Sequence, residues 1–271
     1  MLRNLKDLEN YAIRATDGDI GHVKDFYFDD EAWAVRYLIV ETGGWLSSRK
    51  VLISPIALGT PDWANQVLPV AITKEQVSNS PDIDTDRSVS RQHEMRNLAY
   101  YGYPSYWGGA GLWGSGAYPG MMVLSGDGGV PAGPYIVDPK VQENLARADE
   151  ARHRNDDHHL HSCNAVIGYH IHASDGDIGH VQGLLVDEQT WAVRYMIVST
   201  NNWWIGHEVL IAPQWIGNVS WDEGAVTVGV NRQSVQNAPP YDSSIQLNRT
   251  QEIGIQEHYA RPGYWASAVP P

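Results

Sequence analysis

Short apolar runs divided by polar turns open the chain and predict a series of strands. Leu5, Leu8, Tyr11 and Ile13 mark a lead-in and a first strand, which stops at the polar Asp17-Gly18-Asp19. A second strand then runs to about Asp29. Val35–Thr42 follows as a third, dense in β-branched and aromatic residues. Gly43-Gly44-Trp45 reads as a loop, and Lys50–Ser54 as a fourth strand stopped by Pro55. Ile56–Trp63 and Val67–Ile72 read as a last hairpin. The Asp17-Gly18 pair predicts a type I′ turn, whose two central residues take positive φ. Thr73-Lys-Glu-Gln76 has the spacing of a capping box and predicts a short helix running to about Asn79, before Pro81.

This pattern occurs twice. Asp17-Gly-Asp-Ile-Gly-His-Val23 returns as Asp175–Val181, and Trp33-Ala-Val-Arg-Tyr37 as Trp191–Tyr195, both at an offset of 158 residues. His207–Ala212, Pro213 and Asn231–Val235 repeat the fourth strand, its proline and the capped helix. The offset persists into a tail. Arg91, Glu94, Tyr101, Pro104, Tyr106 and Trp107 meet Arg249, Glu252, Tyr259, Pro262, Tyr264 and Trp265. A solvated linker has no use for matched aromatic spacing, so the tails are expected to clasp a barrel, either their own or the other copy's. The domain reading is therefore a first unit at 1–107, a Gly-rich connector with a short helix at 108–162, and a second unit at 163–271. Within the connector, Asp138-Pro139 supplies an N-cap and a first-turn proline, and the helix should run to about Arg152.

The repeated motif resembles the PRC-barrel family. The matching residues are Asp17–Val23, the Trp33–Val40 strand and Lys50–Pro55, and again Asp175–Val181, Trp191–Val198 and Val209–Pro213. The resemblance covers about 15–81 and 173–239. It implies a mainly β chain with two small antiparallel PRC-type β-barrels in tandem, short helices and an irregular Gly- and aromatic-rich connector. It further implies an adaptor that docks macromolecules, as in the cytoplasmic domain of the photosynthetic reaction-centre H subunit and the C-terminal domain of the ribosome maturation factor RimM. No catalytic residues carry over from it.

Charge narrows the partners. Nineteen Lys and Arg against 32 Asp and Glu give a formal net charge of −13, which opposes a nucleic-acid backbone. Cys163 is the single cysteine, so no intrachain disulfide forms, and a reducing, cytoplasmic setting is expected. The first residues lack the apolar core of a signal peptide, and no run is long and apolar enough for a transmembrane helix. Trp 11 and Tyr 14 against Phe 2 favour half-exposed and interfacial positions.

No catalytic constellation, cofactor site or metal frame stands out. Asp17, Gly18 and Asp19, with Asp175, Gly176 and Asp177, read as turn chemistry, because the spaced ligands of a calcium loop are missing. Arg36 and Arg194 lie among apolar strand neighbours, and each is expected to pair with a turn carboxylate. His153, His158, His159, His161, His170 and His172 form the densest histidine run, without a CxxC or HExxH frame. Ser125–Gly129 lacks the lysine of a phosphate loop, and Ser47, Ser48 and Cys163 have no base nearby in sequence. Trp45, Trp203, Trp204 and Trp215 are the candidate partner-binding residues. Of these, Trp204 and Trp215 face Leu46 and Ala57 in the other copy and so suit a contact of one copy only.

The functional expectation is a non-enzymatic interaction or assembly module with a protein partner and, with two like units, capable of self-association. Two alternatives stand beside it. One is a small-molecule or metal-binding protein using the His-rich segment. The other is a peripheral membrane adaptor resembling the soluble part of the H subunit.

Overall fold

The computed structural model describes residues 1–81, 89, 91–107, 109–124, 159–200 and 207–266. Trp203, Trp204, His153, His158 and the expected helix at 138–152 lie outside the described residues. The protein is mainly β and divides into two units. One comprises Leu8–Ser162 with Gln189–Ala192, and the other Met1–Asp7, Cys163–Glu188 and Val193–Pro271. Each unit thus carries a lead segment belonging to the other repeat.

Strand β1 (Leu2–Asn4) belongs to the C-terminal unit. After a 3₁₀ turn at Leu5–Leu8, the N-terminal unit contributes β2 (Ala12–Ala15), β3 (Gly18–Asp29), β4 (Ala34–Thr42), β5 (Lys50–Ile53), β6 (Val67–Pro69) and β7 (Leu160–Ser162). Its helices are α1 (Lys74–Ser78), α2 (Arg91–Tyr101) and α3 (Gly120–Leu124). The ladder runs β5-β4-β3-β2-β6, with β7 also on β3. Since β4 takes one edge of β3, β2 and β7 share the other: β2 lies along Gly18–His22 and β7 along Tyr27–Asp29. The core is built from strand faces, including Tyr27, Tyr37, Ile39, Leu52, Val89 and Leu160.

The C-terminal unit repeats the plan. It holds α4 (Cys163–Val166), β8 (His170–Ala173), β9 (Gly176–Asp187), β10 (Val193–Ser199), β11 (Glu208–Ile211), β12 (Ile216–Ser220), β13 (Ala225–Val228), α5 (Arg232–Gln236) and α6 (Arg249–His258). The order is β11-β10-β9-β8-β13-β12, with β1 on β9. The ladder is not antiparallel throughout, because β6 runs parallel to β2 and β13 parallel to β8. The expected last hairpin forms as a ladder only here, between β12 and β13. In the N-terminal unit it is reduced to the bridges Leu58–Val70 and Asp62–Val67.

The first turn differs from the type I′ reading. Ala15 pairs with Gly18, so the loop is Thr16-Asp17 and neither of these takes positive φ. Gly18 and Gly176 do, at 135° and 134°. Asp17 uses its side chain elsewhere: Oδ1 accepts the Lys74 N–H at 2.8 Å, satisfying an open donor in the first turn of α1, and Asp175 does the same for Arg232 in α5. The capping box forms as the spacing predicts, with Thr73 Oγ1 accepting from Gln76 N–H and Gln76 Oε1 accepting from Thr73 N–H.

Candidate functional site

The most elaborate polar arrangement of the N-terminal unit sits where the long hairpin β3–β4 turns. Asp29 closes β3, and Arg36 follows in β4, a strand whose residues are nearly all buried. Asp29 Oδ1 accepts the Ala32 N–H at 2.6 Å, and Oδ2 accepts Arg36 Nε at 2.5 Å. Both side chains are almost sealed from water, at 5% and 3% exposure. The guanidinium carbon lies 3.9 Å from the ring centre of Tyr106 and 4.6 Å from that of Trp113, while Nη1 donates to the Leu112 carbonyl at 2.8 Å. Two aromatic faces and a carboxylate thus solvate a buried cation.

The tail closes over this pair from α2. The Tyr106 hydroxyl donates to Glu94 Oε1 at 2.6 Å, and the fully buried Glu94 holds His159 Nε2 on its other oxygen, also at 2.6 Å. Burial, reinforced by the Glu94 charge, pushes the Tyr106 hydroxyl well above its ordinary pKa, so it remains a donor. Trp113 is buried and donates Nε1–H to the Thr190 carbonyl at 2.8 Å. Part of the Gly-rich stretch is therefore packed against the N-terminal unit.

The C-terminal unit rebuilds the cluster more loosely. Arg194 lies 4.0 Å from the Tyr264 ring centre, and the Tyr264 hydroxyl donates to Glu252 Oε1 at 2.9 Å. Arg194 reaches Asp187 only at 3.5 Å, with both side chains about one-sixth exposed, at 16% and 17%. Arg249 faces the rings of Tyr264 and Trp265 at 5.0 and 4.2 Å. Burial first, then Glu252, pushes Tyr264 up to about 12.

The arginine partners are therefore strand-end carboxylates and correct the turn-carboxylate expectation. Asp19 pairs with Arg14 at 2.9 Å, which lowers its pKa chiefly through that hydrogen bond, and Asp177 pairs with His172. Of the tail residues, Tyr101, Tyr106 and Tyr259 are buried, Tyr264, Trp107 and Trp265 are half-buried, and Pro104 and Pro262 are exposed. Each tail packs within the unit that holds the strands of its own repeat.

Trp45 stays 38% exposed, its Nε1–H fixed on the Ile20 carbonyl at 2.7 Å and Lys74 Nζ 4.5 Å from its ring. Trp215, by contrast, is 5% exposed and packs on Tyr259 at 4.6 Å, so its lack of a counterpart reflects a local difference in core packing. Three of the described histidines of that run face separate carboxylates: His159 Glu94, His161 Asp30 and His172 Asp177. Among the described residues, no group of three or more His, Cys, Asp or Glu is placed to hold a metal, and no helix is long and apolar enough to cross a membrane. The roles of Glu94, Glu252, Trp113 and His159 are additions of the structure. The recurring twelve-residue interval from Glu94 to Tyr106 and from Glu252 to Tyr264 was the sequence signal for the first two.

Two comparisons bear on this architecture. The family described as the PRC-barrel domain matches residues 2–69. An uncharacterized protein of Deinococcus radiodurans is 33% identical over 95 residues, which cover 33% of this chain and 34% of that protein. The chain thus spans about a third of the length of the relative it matches.

Proposed function

Residues 2–69 belong to the PRC-barrel domain family, and from that premise we propose that the chain is a non-enzymatic protein-interaction module, with the C-terminal repeat as a second PRC-barrel. Its partner is a protein, in keeping with a net charge of −13 that disfavours nucleic acid. Cys163, the single cysteine and buried, fits a reducing cytoplasmic setting.

One observation carries the reading: the chemistry-bearing groups of the buried clusters are engaged with one another. Asp29 holds Arg36, Glu94 holds Tyr106 and His159, and Glu252 holds Tyr264. Such closed networks rigidify a scaffold, whereas catalysis needs a group directed at an accessible substrate. Trp45 and Tyr118 are exposed aromatic side chains among the described residues. Trp45 is the one whose indole is fixed by a hydrogen bond, so little rotamer freedom would be lost on contact.

The test compares immobilised full-length protein with Trp45→Ala. Proteins retained from an extract of the native cell by the wild type alone, then shown with purified partner to bind at micromolar Kd or tighter, are the expected outcome. Equal retention by both proteins removes Trp45 from the interface. Substrate turnover by the purified chain, undiminished in Trp45→Ala, would replace the module with an enzyme.

A further inference from the structure

The two lead strands are exchanged between repeats in one shared register. β1 pairs antiparallel with the end of β9 as Leu2–Asp187, Arg3–Val186 and Asn4–Leu185. β7 pairs with the end of β3 as Leu160–Asp29, His161–Phe28 and Ser162–Tyr27. Each pairing is the other displaced by 158 residues on both strands. Side chains follow the same rule: Arg3 Nε meets Glu188 at 2.9 Å, and its counterpart His161 meets Asp30 at 3.2 Å. Glu188 N–H also donates to the Met1 carbonyl, as Asp30 N–H does to that of His159.

The edge of a long strand at 27–29 or 185–187 is therefore a receptor for a strand supplied by a different repeat. Selection rests on backbone pairing and a leading leucine buried in both cases, Leu2 and Leu160. Nothing in that recognition requires donor and acceptor to share a chain. Each sheet takes such a strand at this edge, and a second copy carries an identical one.

We propose that two copies of this chain exchange repeats, the C-terminal repeat of one taking β1 from the other and giving its β7 in return. The contacts made are those already formed within one chain, so the intramolecular and exchanged forms differ mainly in chain entropy. For two modules joined in one chain, an effective concentration on the order of 1 mM is the general scale for the intramolecular form. Exchanged dimer should then make up roughly a tenth of the protein refolded at about 100 μM and about half at 1 mM. The inference goes beyond the interaction-module reading, which concerns a foreign protein partner.

Two full-length variants test it in a Cys163→Ala background, one with Arg3→Cys and the other with Val186→Cys. Facing positions of an antiparallel pair lie within disulfide reach. The variants are unfolded together, refolded at about 100 μM and oxidised. Only pairs of unlike variants can link, about half of the dimers, so a species of twice the chain mass, lost on reduction and accounting for roughly a twentieth of the protein, is expected. If the mixture stays at chain mass while a chain carrying both substitutions closes its own disulfide, the exchange is overturned. Light scattering on wild-type protein refolded at about 1 mM gives an independent reading: about half dimer supports the exchange, and monomer alone overturns it.

Discussion

The guanidinium of Arg36 lies 3.9 Å from the ring centre of Tyr106, and 158 residues later Arg194 and Tyr264 repeat the contact at 4.0 Å. The two copies differ in how well the cation is matched. Arg36 is sealed against Asp29 at 2.5 Å, whereas Arg194 is partly hydrated and 3.5 Å from Asp187. Removing one member of a buried pair strands the other, which costs about 3–5 kcal/mol. A partly exposed pair is worth less, about 1 kcal/mol. Arg36→Ala should therefore lower the denaturant midpoint far more than Arg194→Ala. Equal losses in the two variants would mean that Asp29 is not the group left uncompensated.

The glycines of the repeated motif have separate duties. Gly18 takes φ 135° with only the Lys74 side chain near the site of a Cβ. At Gly21 a Cβ would stand 1.9 Å from the Glu41 carbonyl oxygen, and at Gly179 1.9 Å from that of Ser199. The first constraint is torsional and the second is a collision with the neighbouring strand. Gly18→Ala should cost about 1–3 kcal/mol, the range for a strained backbone residue. Gly21→Ala should cost more, because β3 and β4 must separate or a ladder bond must break. Thermal melts of the two variants and the wild type decide the order, and a Gly21→Ala melt above that of Gly18→Ala would contradict it.

The hairpins, the capping box at Thr73 and the period of 158 residues were legible because each is a local signal. Asp-Gly pairs, β-branched runs and an N-cap three residues before Gln76 need no tertiary information. The partners of Arg36 and Asp17 were not legible in the same way. Asp29 and Lys74 become their neighbours only through strand pairing, which sequence spacing does not encode. The lead-strand exchange was hidden by the repeat itself. Tyr27–Asp29 and Leu185–Asp187 are near-equivalent receptors, so local pattern cannot assign Leu2–Asn4 to one of them. Helices α2 and α6 were passed over because their matched positions were read as tail spacing. In α6, the Asn248–Gln251 capping box was the available sign.

Alkaline pH should unfold the protein sharply. Burial pushes Tyr103 and Tyr264 up to about 12, and raises Tyr101, Tyr106, Tyr195 and Tyr259 still further. Above about pH 10 the unfolded chain releases phenolic protons that the folded chain retains. The unfolded state then binds fewer protons, so stability is full below about pH 10 and declines as pH rises through 12. Tyrosinate absorbance should appear together with loss of near-ultraviolet circular dichroism, in one steep transition. Smooth titration near pH 10 with the fold intact would show that these hydroxyls are not held in the interior.

Trp215 and Trp45 should respond to truncation in opposite ways. Trp215 is 5% exposed, follows Pro213 in a 3₁₀ turn, and rests on the Tyr259 ring at the end of α6. Removing that indole opens a cavity between the turn and the helix, and large-to-small changes of this kind cost about 3–5 kcal/mol. Trp45 is held by one hydrogen bond to Ile20 and one cation–π contact with Lys74, with much of its surface in water. Its truncation should cost about 1 kcal/mol, the net worth of such a bond. Chemical denaturation of Trp215→Ala and Trp45→Ala measures both. If Trp45→Ala proves as destabilising as Trp215→Ala, the exposed indole is a structural clamp, and its proposed place in a partner interface is withdrawn.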